Sequence, residues 1–215
     1  MKITILGSGT SQGVPVIACE CAICNSTDPL DKRLRASILI SDKNQNFVID
    51  TGPDFRQQML RAQVKSLRAI IYTHEHKDHI AGMDDVRAFN YREERDMEIF
   101  CTERVENALK REFHYVFSND KYPGIPTVQL NRIENKSFQL PDGPMLIPVE
   151  VMHYKMPVFG YRINDFTYIT DAKTIAPAEI EKVKGTKVLI VNALHRSAHI
   201  SHFNLKEALE FIAFI

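Results

Sequence analysis

Four side chains able to bind a metal ion, His74, His76, Asp78 and His79, lie within six residues, directly after the apolar run Ala69 to Thr73. A short apolar run of this kind reads as a buried strand, which puts the histidine cluster at a strand end. In extended or looping backbone, residues i and i+2 point the same way, so His74 and His76 can share one ion. Asp78 and His79, one turn on, can reach a second ion nearby. Imidazole and carboxylate together suit zinc, manganese or iron. A solvated polar loop after a strand is the plain alternative, and three histidines with an aspartate in this pattern argue against it.

The rest of the chain supplies strands and helices in alternation. Lys2 to Leu6 is rich in β-branched residues and reads as a strand, followed by the glycine-rich Gly7-Ser8-Gly9-Thr10-Ser11-Gln12-Gly13. That loop lacks the Gly-Lys-Ser/Thr ending of a phosphate-binding P-loop. Ala36–Ile40 and Asn46–Asp50 predict a hairpin across polar Ser41–Gln45. Asp54 to Val64 predicts a helix, with Phe55, Met59 and Ala62 at helical spacing and Asp54 able to cap it. A further helix is expected from about Asp78–His79 into the charged stretch at Tyr91–Asp96, then a strand at Glu98–Cys101 and a helix over Glu103–Val116. Several strands are expected within Ser137–Ile163, and one over Phe166–Thr170 that ends at Asp171. A helix over Pro177–Lys184 has proline in its first turn and Gly185 after its end. Lys187–Asn192 reads as a strand, and Asn204-Leu205-Lys206-Glu207 opens a last helix in capping-box style. Mixed sheets flanked by helices follow, an α/β layered arrangement expected to form one domain over residues 1–215.

Composition narrows the function. Lysine plus arginine equals aspartate plus glutamate at 27 each, so no global field draws in nucleic acid. No apolar run reaches the length of a membrane span, and Met1-Lys2 leads straight into a strand, so a cytoplasmic location is expected. Three of the four cysteines crowd at Cys19, Cys21 and Cys24, which in a reducing compartment reads as a metal site before a disulfide framework. Cys101 falls in a strand and reads as core.

The segment Thr73-His74-Glu75-His76-Lys77-Asp78-His79, with Gly82 three residues on, resembles the signature of the metallo-β-lactamase superfamily. The resemblance covers nearly the whole chain and implies a four-layer αββα sandwich with a two-metal site at the sheet edges. Phe47-Val48-Ile49-Asp50-Thr51-Gly52 is similar to the family's earlier strand-plus-Asp-x-Gly element, in which Asp50 supports the site without ligating. His153 matches the third histidine on the first metal. Asp171, closing Tyr168-Ile169-Thr170-Asp171, matches the aspartate that bridges both metals. The cofactors so implied are two divalent ions (zinc or manganese, or iron), with Asp78 a ligand that also takes part in catalysis.

Within that superfamily, Gly7 to Pro15 followed by Cys19-Glu20-Cys21-Ala22-Ile23-Cys24 resembles the phosphodiesterase branch, which includes the phosphonate-pathway enzyme that opens 5-phosphoribosyl 1,2-cyclic phosphate. The cysteine triplet there forms a structural zinc site with one later histidine. A histidine between the last large strand and the final helix is matched best by His202, the expected proton donor or oxyanion partner, with His195 and His199 as rivals. The expected substrate is a small or cyclic phosphodiester. A tRNA 3′-processing nuclease is the runner-up, and no long projecting arm for tRNA is visible. A non-enzymatic metal-binding or carrier protein, like the pyrroloquinoline quinone pathway protein that shares the glycine loop and cysteine triplet, is the rival from another class. Oligomeric state cannot be read from the sequence; a dimer is compatible with it.

Relatives in this branch continue past the position of Ile215 into a strand and a Thr-His-x-x-His-like element. The chain ends at Phe211-Ile212-Ala213-Phe214-Ile215, inside a helix with a bare apolar face, so a fold lacking its C-terminal strand region is expected, with further residues in the natural protein. The expectation that goes with it is a second metal held more weakly than the first.

Overall fold

Lys43 and Asn44 both take left-handed backbone, φ 47° and 66°, and this two-residue turn joins Ser37–Asp42 to Gln45–Ile49 as an antiparallel hairpin. The turn is tighter than the five polar residues Ser41–Gln45 suggest, because the strands run on into them. A computed structural model of the chain describes residues 1–120 and 122–215, which divide into a unit of residues 1–132 and a unit of residues 133–215.

In the first unit, the described residues form one sheet in the order β1 (Lys2–Gly7), β2 (Ser37–Asp42), β3 (Gln45–Ile49), β4 (Ala69–Ile71), β5 (Met97–Cys101) and β6 (Val128–Arg132). β1, β2 and β3 pair antiparallel, and β3 through β6 pair parallel. Leu39, Val48, Ile70 and Ile99 join one core cluster with Phe55, Met59, Phe89, Val105 and Leu109 from the helices. Ile38, Ile40, Phe47, Ile49 and Ile71 are also fully buried, so these strands are covered on both faces. That is why they read in sequence as continuous apolar runs and not as alternation.

The helices of this unit are α1 (Ala22–Asn25), α2 (Phe55–Arg61), α3 (Lys77–Ile80), α4 (Arg87–Glu93), α5 (Glu103–Glu112) and α6 (His114–Phe117). Three departures from the sequence reading concern these helices. α2 stops at Arg61, and Asp54 at its N-cap makes no side-chain cap. Its carboxylate instead accepts from Arg35 N (2.8 Å) and pairs with Arg35 Nη1 (3.0 Å). The single helix expected after the histidines is three pieces, α3, a 3₁₀ turn at Met83–Val86, and α4. The break comes at Gly82, whose N–H donates to Thr51 O at 2.7 Å. The long helix to Val116 breaks at Phe113, between α5 and α6. β6 and α1 carry no strong pattern and were not anticipated; β6 is the end strand of the sheet order, half-buried and partly polar.

The second unit begins with β7 (Phe138–Gln139), β8 (Met145–His153), β9 (Met156–Ile163) and β10 (Phe166–Ile169), then β11 (Thr174–Ile175), α7 (Pro177–Val183), β12 (Val188–Val191) and α8 (Leu205–Ile212). Its sheet order is β11-β8-β9-β10-β12, with β7 on β8 and only β10–β12 parallel. The core gathers Val149, Val151, Val158, Ile169, Val183, Phe203 and Phe211. The capping box at α8 forms as read: Glu207 N donates to Asn204 Oδ1 and Asn204 N to Glu207 Oε2, both at 2.9 Å. Leu209 and Ile212 on that helix are exposed while Ala208 and Phe211 are buried. Among the described residues, no helix is long and apolar enough to cross a membrane.

Two glycines decide how closely the chain can approach itself near the histidines. A Cβ on Gly52 would lie 2.1 Å from Asp78 O, and one on Gly82 would lie 2.3 Å from Gly52 O. Backbone carbonyls cannot give way as a flexible side chain can. Gly82→Ala is therefore expected to destabilise the fold by roughly 1–3 kcal/mol through overpacking. An unchanged urea midpoint and slope would show that the contact yields without cost.

Candidate metal centre

Asp50 leaves β3 with a left-handed backbone, φ 65°, and its side chain is fully buried. Its Oδ1 accepts from Thr73 N at 2.9 Å, and its Oδ2 from Thr73 Oγ1 at 2.8 Å. The same Oδ2 lies 2.7 Å from His79 Nδ1. Burial pushes the Asp50 carboxyl up from its ordinary value, while the His79 ring and the Thr73 donors oppose that shift.

These bonds fix the histidine tautomers. A carboxylate oxygen only accepts, so His79 Nδ1 carries the proton and Nε2 carries the lone pair. The single hydroxyl proton of Thr73 goes to Asp50, so Thr73 Oγ1 accepts from His74 Nδ1, 3.0 Å away. His74 then also presents its lone pair at Nε2. The rings of His74 and His76 lie 4.7 Å apart, those of His74 and His79 4.1 Å, and Asp78 Oδ2 is 3.3 Å from His79 Nε2. The four residues singled out in the sequence are thus gathered on the loop and first turn of α3, with Asp50 behind them.

The intervening residues point elsewhere. Glu75 accepts from Arg104 Nη2 at 2.5 Å and from Arg104 Nε at 3.1 Å, and Lys77 pairs with Glu112, so both are tied to α5.

In the second unit, His153 closes β8 and Asp171 follows β10, again with left-handed backbone at φ 54°. His153, Asp171 and His202 offer ligand atoms within 4.8 Å of one another. Asp171 Oδ2 accepts from Thr170 Oγ1 at 2.6 Å, and Oδ1 is 3.5 Å from His202 Nδ1. His153 Nδ1 donates to the carbonyl of Ser201 at 2.8 Å, which puts its lone pair on Nε2. The loop bearing His202 is pinned by Phe203 N on Ala172 O at 2.7 Å, and by Asn192, which bonds both Ala172 N and Ala172 O. His195 and His199 sit farther along it, with rings 5.4 Å apart. The sequence reading gives no part at the site to Thr73, Asn192 or Ser201. Thr73 is adjacent to the histidines, but a carbonyl acceptor such as Ser201 leaves no mark in residue type.

The cysteine triplet also converges, with the Sγ atoms of Cys19, Cys21 and Cys24 within 4.8 Å of one another. The Cys24 N–H beside it, helped by the neighbouring thiols, lowers Cys21 to about 7. Cys24 is raised: the Val16 N–H favours its thiolate, but burial and the neighbouring sulfurs outweigh it. Three thiols so close cannot all ionise cheaply without a cation, which is the condition of a soft-metal site. Cys101 is buried, and that burial pushes it up to about 12. Oriented imidazoles with carboxylates, and separately three thiols, are donor sets that fit divalent ions.

The sequence matches the family described as a beta-lactamase superfamily domain over residues 45–215. It is 40% identical to an octanoyltransferase of Porphyromonas gingivalis over 99% of this chain and 43% of that protein, so it spans less than half of that relative's length. The crystal structure of a new diphosphatase from the PhnP family superposes with a TM-score of 0.91 at 37% identity, covering 98% of this chain and 80% of that one. Zinc-bound PqqB from Methylobacterium extorquens shares the fold at 20% identity and a TM-score of 0.74, over 92% of this chain and 74% of that one. The strand-end aspartates, the His-x-His-x-Asp-His loop and these likenesses agree: the chain belongs to the metallo-β-lactamase superfamily and has its fold.

Proposed function

We propose that the protein is a metal-dependent hydrolase that opens a P–O bond in a small or cyclic phosphodiester, or in a diphosphate. The observation that carries this reading is the 37% identity across 98% of the chain with a PhnP-family diphosphatase, together with the oriented donor set. His74, His76, Asp78 and His79 of the first unit, and His153 and Asp171 of the second, are the side chains that would hold two divalent ions. Bound there, such ions would supply Lewis acidity for activating water and for neutralising phosphate charge.

The chain's own residues do the rest. Asp50 holds His79 directly and His74 through Thr73, each with Nδ1 protonated. Asp78 acts as a ligand and not as a free base. His202, close to Asp171 and His153, carries the proton that the leaving alkoxide needs. Cys19, Cys21 and Cys24 would hold a structural zinc. A second reading, chemistry on an octanoyl group, rests on the 40% identity to part of an octanoyltransferase, of which this chain matches 43%.

Elemental analysis beside turnover of bis(p-nitrophenyl) phosphate, an octanoyl thioester and a precursor tRNA separates the readings. Metal-dependent cleavage of the phosphodiester is expected. Metal bound with cleavage of none of the three would favour a carrier. His202→Ala is expected to lower kcat by about 10²-fold or more on an alkyl diester, and far less on the p-nitrophenyl ester, whose leaving group needs no proton. Equal losses on both would remove His202 as proton donor. In metal-free protein, iodoacetamide should modify Cys21 along a titration centred near pH 7, from thiol below to thiolate above. Zinc should block that reaction; unimpeded alkylation with zinc present would count against the cysteine site.

A further inference from the structure

His195, His199 and His202 fall within eight residues after β12, and their hydrogen bonds give them different parts. His195 Nδ1 lies 2.7 Å from Ser197 O, turned onto its own loop. His199 Nδ1 lies 3.3 Å from both the N–H and the Oγ of Ser201. A backbone N–H only donates, so His199 Nδ1 is an acceptor. The carbonyl of that same Ser201 takes the Nδ1 proton of His153 at 2.8 Å. Ser201 is therefore held on both sides, by His199 at its N–H and hydroxyl and by His153 at its carbonyl. His202 is the next residue, its ring 4.5 Å from His153 and 5.1 Å from His199.

We propose that His199 is a positioning residue: through Ser201 it sets the tautomer and ring orientation of His153 and the backbone that carries His202. The inference rests on the reading of His153 as a metal ligand. Ligating histidines owe their orientation and basicity to the acceptor on their other nitrogen, and losing such a partner typically weakens metal binding by about 10–100-fold. His199 acts one bond further out, so the lower end of that range is expected. What it supplies is an acceptor at the Nδ1 position, which asparagine reproduces with Oδ1 and alanine does not.

The test is a cobalt(II) titration of the full chain, followed by visible absorption, with thermal melts of the metal-free proteins. Thiolate charge-transfer bands separate the cysteine site from the nitrogen and oxygen site. His199→Ala is expected to weaken the latter about tenfold with an unchanged melt, and His199→Asn to restore it. If His153→Ala loses cobalt while His199→Ala binds as the unaltered chain does, the positioning role is overturned and the metal reading stands. If His153→Ala keeps full affinity, the metal reading fails and the inference falls with it. A lowered melt in His199→Ala that tracks the affinity loss, with no rescue by asparagine, would assign His199 to stability alone.

Discussion

One buried carboxylate organises the histidine loop. Asp50 has no access to solvent, and an ion in that position costs several kcal/mol unless it is compensated. Three donors compensate it: the Thr73 amide, the Thr73 hydroxyl and the His79 ring. The last two also set the chemistry, since each leaves a histidine nitrogen lone pair on the side away from Asp50. Stability of the loop and readiness to bind a metal thus come from the same bonds.

The second unit repeats the device in a different key. Asp171, like Asp50, ends a strand in the left-handed region, a conformation that costs of order 1–3 kcal/mol in a residue with a side chain. In both cases a threonine hydroxyl holds the carboxylate, Thr73 for Asp50 and Thr170 for Asp171. Asp50 is turned inward and saturated with donors; Asp171 faces two histidines. The difference underlies the proposal that one supports the site and the other ligates.

Much of this was legible in the sequence, and what was not has a physical reason. Strands buried on both faces announce themselves as apolar runs, and the Asn204–Glu207 cap as a local motif. His74, His76, Asp78 and His79 lie within six residues, so their convergence needed no tertiary knowledge. The helix after the histidines is shorter than its pattern suggests because a tertiary bond, from Gly82 N to Thr51 O, intercepts the backbone. Asp54 was misread as a cap because its partner, Arg35, is 19 residues distant. Edge strand β6 has too few apolar residues to stand out. The parts played by Ser201 and Asn192 depend on where a backbone carbonyl or amide lies, and no residue pattern encodes that.

The residues between His74, His76 and Asp78 tell a separate story. Glu75 and Lys77 are bound to Arg104 and Glu112 on α5, through partly exposed ion pairs each worth under about 1 kcal/mol. They have opposite polarity, so sliding the loop along the helix brings like charges together. Weak as anchors, they act as a gauge of register. The aim of the histidines is thereby referred to a helix that contributes none of the proposed ligands, and a change confined to that helix's surface can shift them while leaving each of those residues untouched.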